Sequence, residues 1–199
     1  TKALAVDPTL YLQEEQVTED VRKEAAQFLG VTADEIILTR STSEGTRIFS
    51  HGAPLKPGDE VLFTTHDYGE QTGAFRALER YGVVVKRIPF PFVPKSKDEI
   101  IKLYTDAMTP KTRVLLVCHV TMVSGVVLPI QELSEIANKR NILISVDGAH
   151  SLGAHAVNLK DWGVHHYAGS GQKWLMAGTG TGISYLRKDI QDQITYEVK

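Results

Sequence analysis

The chain switches at short, regular intervals between β-branched apolar runs and longer amphipathic stretches, and this alternation constrains its fold most. Ile36-Ile37-Leu38, Glu60-Val61-Leu62-Phe63, Val83-Val84-Val85, Val114-Leu115-Leu116-Val117 and Ile142-Leu143-Ile144-Ser145-Val146 read as buried strands, several bounded by Gly, Pro or Asp. Residues 21–29 read as a helix that Gly30 caps, and helical stretches follow at 42–52, 69–81, 97–108 and 130–140. Strands that alternate with helices imply right-handed crossovers and a mostly parallel sheet covered on both faces. After Val146 the rhythm changes. His166-Tyr167-Ala168 and Gly182–Leu186 are strand candidates, and the Gly-rich link between them does not suit a helical crossover, so one of them runs antiparallel. No internal repeat, low-complexity tract or linker interrupts the pattern. The expected fold is one α/β domain, a three-layer sandwich around a mostly parallel sheet with one antiparallel strand.

At 199 residues and 42% hydrophobic, the chain can bury one substantial core. A net charge of −2 without any dense Lys/Arg run points away from nucleic acid and from an anionic membrane surface. No apolar run reaches the ~18 residues of a membrane span, and the first residues lack a secretory pattern. Cys118 is the single cysteine, which excludes an internal disulfide and suits a reducing compartment, so the expected location is cytoplasmic. The sequence starts at Thr1 without a methionine and stops at Lys199 among polar residues that could open a helix. The expectation is a piece of a longer protein.

Ligands of open parallel sheets sit beyond the carboxyl ends of the strands, so the polar residues there are the candidates. Lys173 follows a strand within Gly-Ser-Gly-Gln-Lys-Trp-Leu and precedes the apolar Trp174-Leu175-Met176. An amine crowded by apolar groups is a usable nucleophile toward a carbonyl, although a lone lysine on a Gly-rich loop is usually a surface residue. Asp147 ends the most apolar strand, where a carboxylate needs a cationic partner such as a protonated ring nitrogen, or else serves as a turn cap. Residues 39–45, Thr-Arg-Ser-Thr-Ser-Glu-Gly, join a strand to a helix. Their hydroxyls and free N–H groups suit an anion, and Ser41 with Glu44 three residues on reads as a capping box. His66 follows a strand and could stack on a planar ring, and His150 lies three residues past Asp147; either could equally be a loop histidine. His165 and His166 at the end of a strand read as structural, and the histidine spacing suggests no metal site. Gly178–Gly182 lacks the following helix of a dinucleotide fingerprint. Cys118, inside an apolar strand, reads as core.

Taken in order, these pieces resemble the class V branch of fold-type I pyridoxal 5′-phosphate (PLP) enzymes, which includes cysteine desulfurases, isopenicillin-N-epimerase-like proteins, carbon–sulfur lyases and kynureninases. The resemblance runs from about Leu12 to Asp189. It is strongest in Ser-Val-Asp-Gly-Ala-His (145–150), Gly-Ser-Gly-Gln-Lys-Trp-Leu (169–175) and Gly-Thr-Gly-Ile-Ser-Tyr-Leu (180–186). It implies a PLP-dependent enzyme acting on an α-amino acid through a Schiff base on Lys173, which also carries the α-proton. Asp147 would pair with the pyridinium nitrogen, and His66 would stack on the ring. Thr42 and Ser43 would hold the phosphate with help from Ser170, and His150 would lie near the phenolic oxygen.

Three departures from the desulfurase pattern matter. His150 stands where many desulfurases have Gln, Gln172 where they have His, and Met122 where they tend to have Asn. Met122 cannot make the hydrogen bond to the phenolic oxygen, which leaves Thr121 or His150 to make it. The resemblance therefore leans toward the epimerase-like and lyase subgroup, with cysteine desulfurase as the alternative. A non-catalytic scaffold would need none of Lys173, Asp147 or the hydroxyl-rich turn. The family also implies a homodimer, and a C-terminal small domain outside residues 1–199 that supplies the arginine for the substrate carboxylate. Arg40 is the one local substitute that the sequence offers.

Overall fold

The computed structural model describes residues 9–195, with side chains from residue 15; the possible helix start at Lys199 lies outside the described residues. Seven strands form one sheet: β1 (Ile36–Thr39), β2 (Glu60–Thr64), β3 (Val84–Ile88), β4 (Thr112–Cys118), β5 (Leu143–Asp147), β6 (His166–Ser170) and β7 (Gly182–Leu186). Their spatial order is β1-β7-β6-β5-β4-β2-β3. The pairs β2–β3, β2–β4, β4–β5 and β5–β6 are parallel, while β7 runs antiparallel to both β6 and β1. The expected single antiparallel strand is thus β7. Because β7 opposes both neighbours, β1 runs with β6, and the carboxyl ends of β1, β2, β4, β5 and β6 share one edge.

The helices are α1 (Thr9–Leu29), α2 (Thr42–Gly52), α3 (Gly69–Arg76), α4 (Lys97–Ala107), α5 (Ile130–Lys139) and the short α6 (Leu159–Trp162). Each central strand is apolar on both sides because helices cover both faces. Within β4, Leu115 and Val117 join a core with Leu29, Tyr104 and Leu133 of α1, α4 and α5. Val114 and Leu116 join a second core with Phe49 of α2 and Phe75 of α3. Among the described residues no helix is long and apolar enough to cross a membrane.

Two differences from the sequence expectation have physical causes. Helix α1 begins at least twelve residues before 21, since its upstream turns carry few apolar positions; i,i+3 pairs such as Arg22–Glu19 support them instead. The 69–81 stretch is not one helix: α3 gives way to a 3-10 turn at Ala77–Tyr81, which closes on Gly82.

His166 opens β6 in the sheet interior. Its Nδ1 meets Ser145 Oγ at 2.8 Å, its Nε2 meets Ser184 Oγ at 3.0 Å, and its ring stacks on Phe49 at 4.6 Å. Burial depresses it to about 3, so it is a neutral tie between β5, β6, β7 and α2, as the structural reading expects.

The turn after β5 is pinned from below. Tyr167, fully buried, reaches Ser151 Oγ at 3.1 Å, and a Cβ at Gly148 would lie 2.0 Å from its ring. Gly148→Ala is therefore expected to cost about 2–3 kcal/mol, since neither ring nor turn has space to yield. Urea unfolding of the variant beside the parent measures it; a loss below about 0.5 kcal/mol would show that the turn shifts freely.

Candidate active site

The shared carboxyl edge of the sheet holds a cavity of about 590 Å³, with Thr42, Ser43, Ser170, Gln172 and Lys173 on its walls. It exists because β1 and β6 end together and the N-terminus of α2 sits over them. Gly45 lets α2 come this close: a Cβ there would lie 2.9 Å from that of Ala168. Ser41 caps α2 by accepting from Glu44 N–H at 3.2 Å. The full capping box is not formed. Glu44 turns instead to the backbone N–H of Arg40 at 2.6 Å and to its guanidinium at 3.0 Å, because the added ion pair outbids the Ser41 amide.

At the cavity floor Thr42 and Ser170 are coupled. Ser170 Oγ accepts from Thr42 N–H at 3.1 Å, and the two hydroxyl oxygens lie 2.7 Å apart. Only one of the two hydroxyl protons is consumed between them, so the other is left to donate outward at a helix N-terminus, where an anion is favoured. Ser43, by contrast, donates to Glu70 Oε2 at 3.0 Å and accepts from Gln71 Nε2 at 3.3 Å.

Asp147 ends β5 and is 2% exposed. Its Oδ1 accepts from Ala149 N–H at 2.9 Å, and among the described residues no Lys or Arg bonds to it. Burial pushes it up to about 6, against the pull of the Ala149 hydrogen bond and of the Lys173 charge. A second buried carboxylate stands nearby. Asp67 accepts from Thr64 N–H, from Thr64 Oγ1 at 2.6 Å and from Cys118 N–H at 2.9 Å, which clamps the ends of β2 and β4 together. Burial raises it to about 6 as well, with the Asp147 charge adding to the effect. The sequence reading gave Asp67 no role. Its signal was a carboxylate one residue past His66, in the turn that follows a fully buried strand. Cys118 is core as expected: it is 2% exposed and burial drives its thiol well upward.

Lys173 follows β6 on a turn whose Nζ lies 3.5 Å from His150 Nε2, while His150 Nδ1 accepts from Trp174 Nε1 at 3.3 Å. That acceptor role leaves the His150 proton on Nε2, the nitrogen facing Lys173. Desolvation, then the Lys173 charge, lowers His150. Among the described residues, the apolar crowding of Lys173 expected from Trp174-Leu175-Met176 is absent. All three side chains are exposed, Met176 by 79%, because the tight turn (Met176 φ 56°) directs them outward. The turn is held instead by backbone. A Cβ on Gly153 would lie 2.5 Å from Leu175 N, and φ +85° there favours glycine.

Asp147, His150, His66 and Thr121 stand outside the cavity lining. His66 is nearly buried, with its ring 5.2 Å from Phe90 and its Nδ1 3.3 Å from Ser124 Oγ. Thr121 is bound within its own turn, accepting from Val126 N–H at 3.0 Å and meeting Ser124 Oγ at 2.9 Å. Arg40 is an ill-suited carboxylate substitute, since its guanidinium is already paired with Glu44; Arg47, which the sequence reading set aside in favour of Arg40, also lines the cavity.

Residues 7–197 match the aminotransferase class-V family, and the chain belongs to that family. It is 32% identical over 172 residues to an isopenicillin N epimerase of Amycolatopsis lactamdurans, covering 84% of this chain and 43% of that protein. It is 28% identical to a probable cysteine desulfurase of Methanothermobacter thermautotrophicus, covering 94% of this chain and 46% of that protein. Among solved structures, the cystine C–S lyase C-DES in complex with cysteine persulfide superposes with a TM-score of 0.86 at 23% identity, over 94% of this chain and 50% of that one. An apo cysteine desulfurase from Thermococcus onnurineus NA1 does so with a TM-score of 0.79 at 27% identity, over 88% and 44%. The chain spans less than half the length of the curated relatives it matches.

The Asp147 carboxylate carries a penalty that can be measured without any ligand. Its folded value lies above the ordinary 3.8, so the native state bears the cost fully above about pH 6 and sheds it as pH falls toward 4. Asp147→Asn should therefore stabilise the cofactor-free protein at pH 8 by roughly 1–3 kcal/mol, a gain that shrinks toward pH 4. Denaturant titrations at both pH values test this; a variant no more stable than the parent at pH 8 would show the charge to be compensated already.

Proposed function

We propose that this chain is the PLP-binding domain of an enzyme that acts on an α-amino acid, with Lys173 as the point of covalent attachment. One observation carries the reading. Lys173 and a fully buried carboxylate, to which no Lys or Arg bonds among the described residues, both lie at the carboxyl edge of the sheet, beside a hydroxyl-lined helix N-terminus. The donor set fits the cofactor. Lys173 offers an amine to its aldehyde, Asp147 offers an anion to its ring nitrogen, and Thr42 and Ser170 offer hydroxyls to its phosphate. When bound, the cofactor supplies an electron sink for carbanion formation at the substrate α-carbon.

The residues divide the remaining work. Asp147, held by Ala149 N–H in a low-dielectric position, keeps the ring nitrogen protonated. Lys173 takes and returns the α-proton at Nζ; in its neutral form the amine nitrogen can accept from His150 Nε2–H, 3.5 Å away. His66 covers the ring. Ser43 joins the phosphate contacts once its hydroxyl leaves Glu70. Thr121 acts through Ser124, since its hydroxyl is engaged inside its own turn. The exposed Trp174, Leu175 and Met176 beside Lys173 are apolar surface that a second subunit would bury, which supports a homodimer.

The reaction type is proposed as epimerase, aminotransferase or C–S lyase chemistry, which share the first α-proton removal. Likeness to an isopenicillin N epimerase and the His150/Gln172 pair favour this group. The cysteine desulfurase alternative rests on the likeness to proteins so named.

Purified intact protein mixed with PLP is expected to develop a visible absorbance band and, after borohydride, a stable adduct on the peptide that contains Lys173. Lys173→Ala should abolish the adduct and leave the far-ultraviolet circular dichroism unchanged. An adduct on another lysine, or none, would overturn the assignment.

A further inference from the structure

We propose that Ser124, which no motif singles out, is the positioning residue that fixes the proton of His66 on Nε2 and thereby the setting of its ring; the functional part of this rests on reading His66 as the cover of the cofactor ring. The direction follows from counting protons. The chain of contacts begins at Val126 N–H, which can only donate, and Thr121 Oγ1 accepts from it at 3.0 Å. Thr121 is 2% exposed, and its remaining partner among the described residues is Ser124 Oγ at 2.9 Å, so its own proton goes there. Ser124 Oγ, now an acceptor from Thr121, has His66 Nδ1 as its next neighbour at 3.3 Å and gives its proton to it. An Nδ1 that accepts cannot carry hydrogen in the neutral ring, so the proton resides on Nε2.

This hydrogen bond lies in the plane of the imidazole, so it fixes rotation about the Cβ–Cγ bond while leaving the ring faces free. Phe90, tilted 56° at 5.2 Å, and Phe92, edge-on at 6.1 Å, limit the ring by contact but carry no hydrogen-bond direction. Asp67, one residue on, holds the loop backbone through Thr64 and Cys118 and does not touch the imidazole. Ser124 is therefore the polar group that decides how His66 faces.

The test reads the tautomer directly. Histidine-selective ¹⁵N labelling of the intact, cofactor-free protein, with long-range ¹H–¹⁵N correlation, should show His66 Nδ1 as the bare nitrogen and Nε2 as the protonated one. Ser124→Ala should change the tautomer ratio roughly fivefold, the scale of one net hydrogen bond, and Ser124→Thr, which keeps the hydroxyl, should restore it. A protonated Nδ1 in the parent protein would overturn the proposal whether or not the alanine variant folds. So would an alanine variant with the parent's nitrogen shifts. With PLP added, the alanine variant should lose much of the induced circular dichroism of the cofactor band and the threonine variant should regain it; equal signals in all three proteins would defeat the positioning role. Because the tautomer is read without cofactor, a protein that takes up no PLP would defeat the functional reading alone.

Discussion

Asp147 is the group on which the rest of the site depends. A carboxylate at the end of a central strand, 2% exposed and bonded among the described residues to a single backbone N–H, is an unfavourable thing for a folded chain to retain. The fold accommodates it by rigid construction. Tyr167 closes the space under Gly148, and parallel pairing of β5 with β4 and β6 keeps the strand end from moving toward water. A site that holds an uncompensated buried charge is preorganised for a cation, and binding that cation recovers part of what folding gave up.

Around this centre the loops are set by buried polar ties. Asp67 clamps β2 to β4 with three accepted hydrogen bonds, and neutral His166 ties β5, β6 and β7 beneath α2. The Lys173 turn leans on Gly153 by backbone contact. Such ties are directional where apolar packing is not, so they fix where side chains point as well as how tightly elements pack. Lys173 itself stays exposed, with His150 the side chain that reaches its Nζ among the described residues, which fits a residue that must move to react.

The sheet, its order of strands and helices, and the reversal at β7 were legible in the sequence. Two-sided burial leaves continuous β-branched runs, and a short Gly-rich link leaves no room for a crossover. The upstream turns of α1 were not legible, because a polar helix held by ion pairs carries little hydrophobic period. The enclosure of Lys173 by Trp174-Leu175-Met176 was misread, since adjacency along the chain does not say on which side of a tight turn three side chains emerge. Ser124 and Asp67 were missed for a related reason. Ser124 meets His66 across 58 positions and Asp67 reaches Cys118 across 51, and no local pattern marks so distant a partner.

The sequence by itself determined the fold class, the edge where a ligand would sit and the chemical types gathered there, because strand period and strand-end position follow from local residue pattern. Only the tertiary structure decided which of those groups are free to act. It left Asp147 without a bonded cation among the described residues, bound Arg40 to Glu44 and Ser43 to Glu70, and turned Thr121 inward to Ser124. The reason is physical: a hydrogen bond or ion pair is spent on whichever partner three-dimensional packing brings within about 3 Å, and that distance is set by elements far apart in the chain.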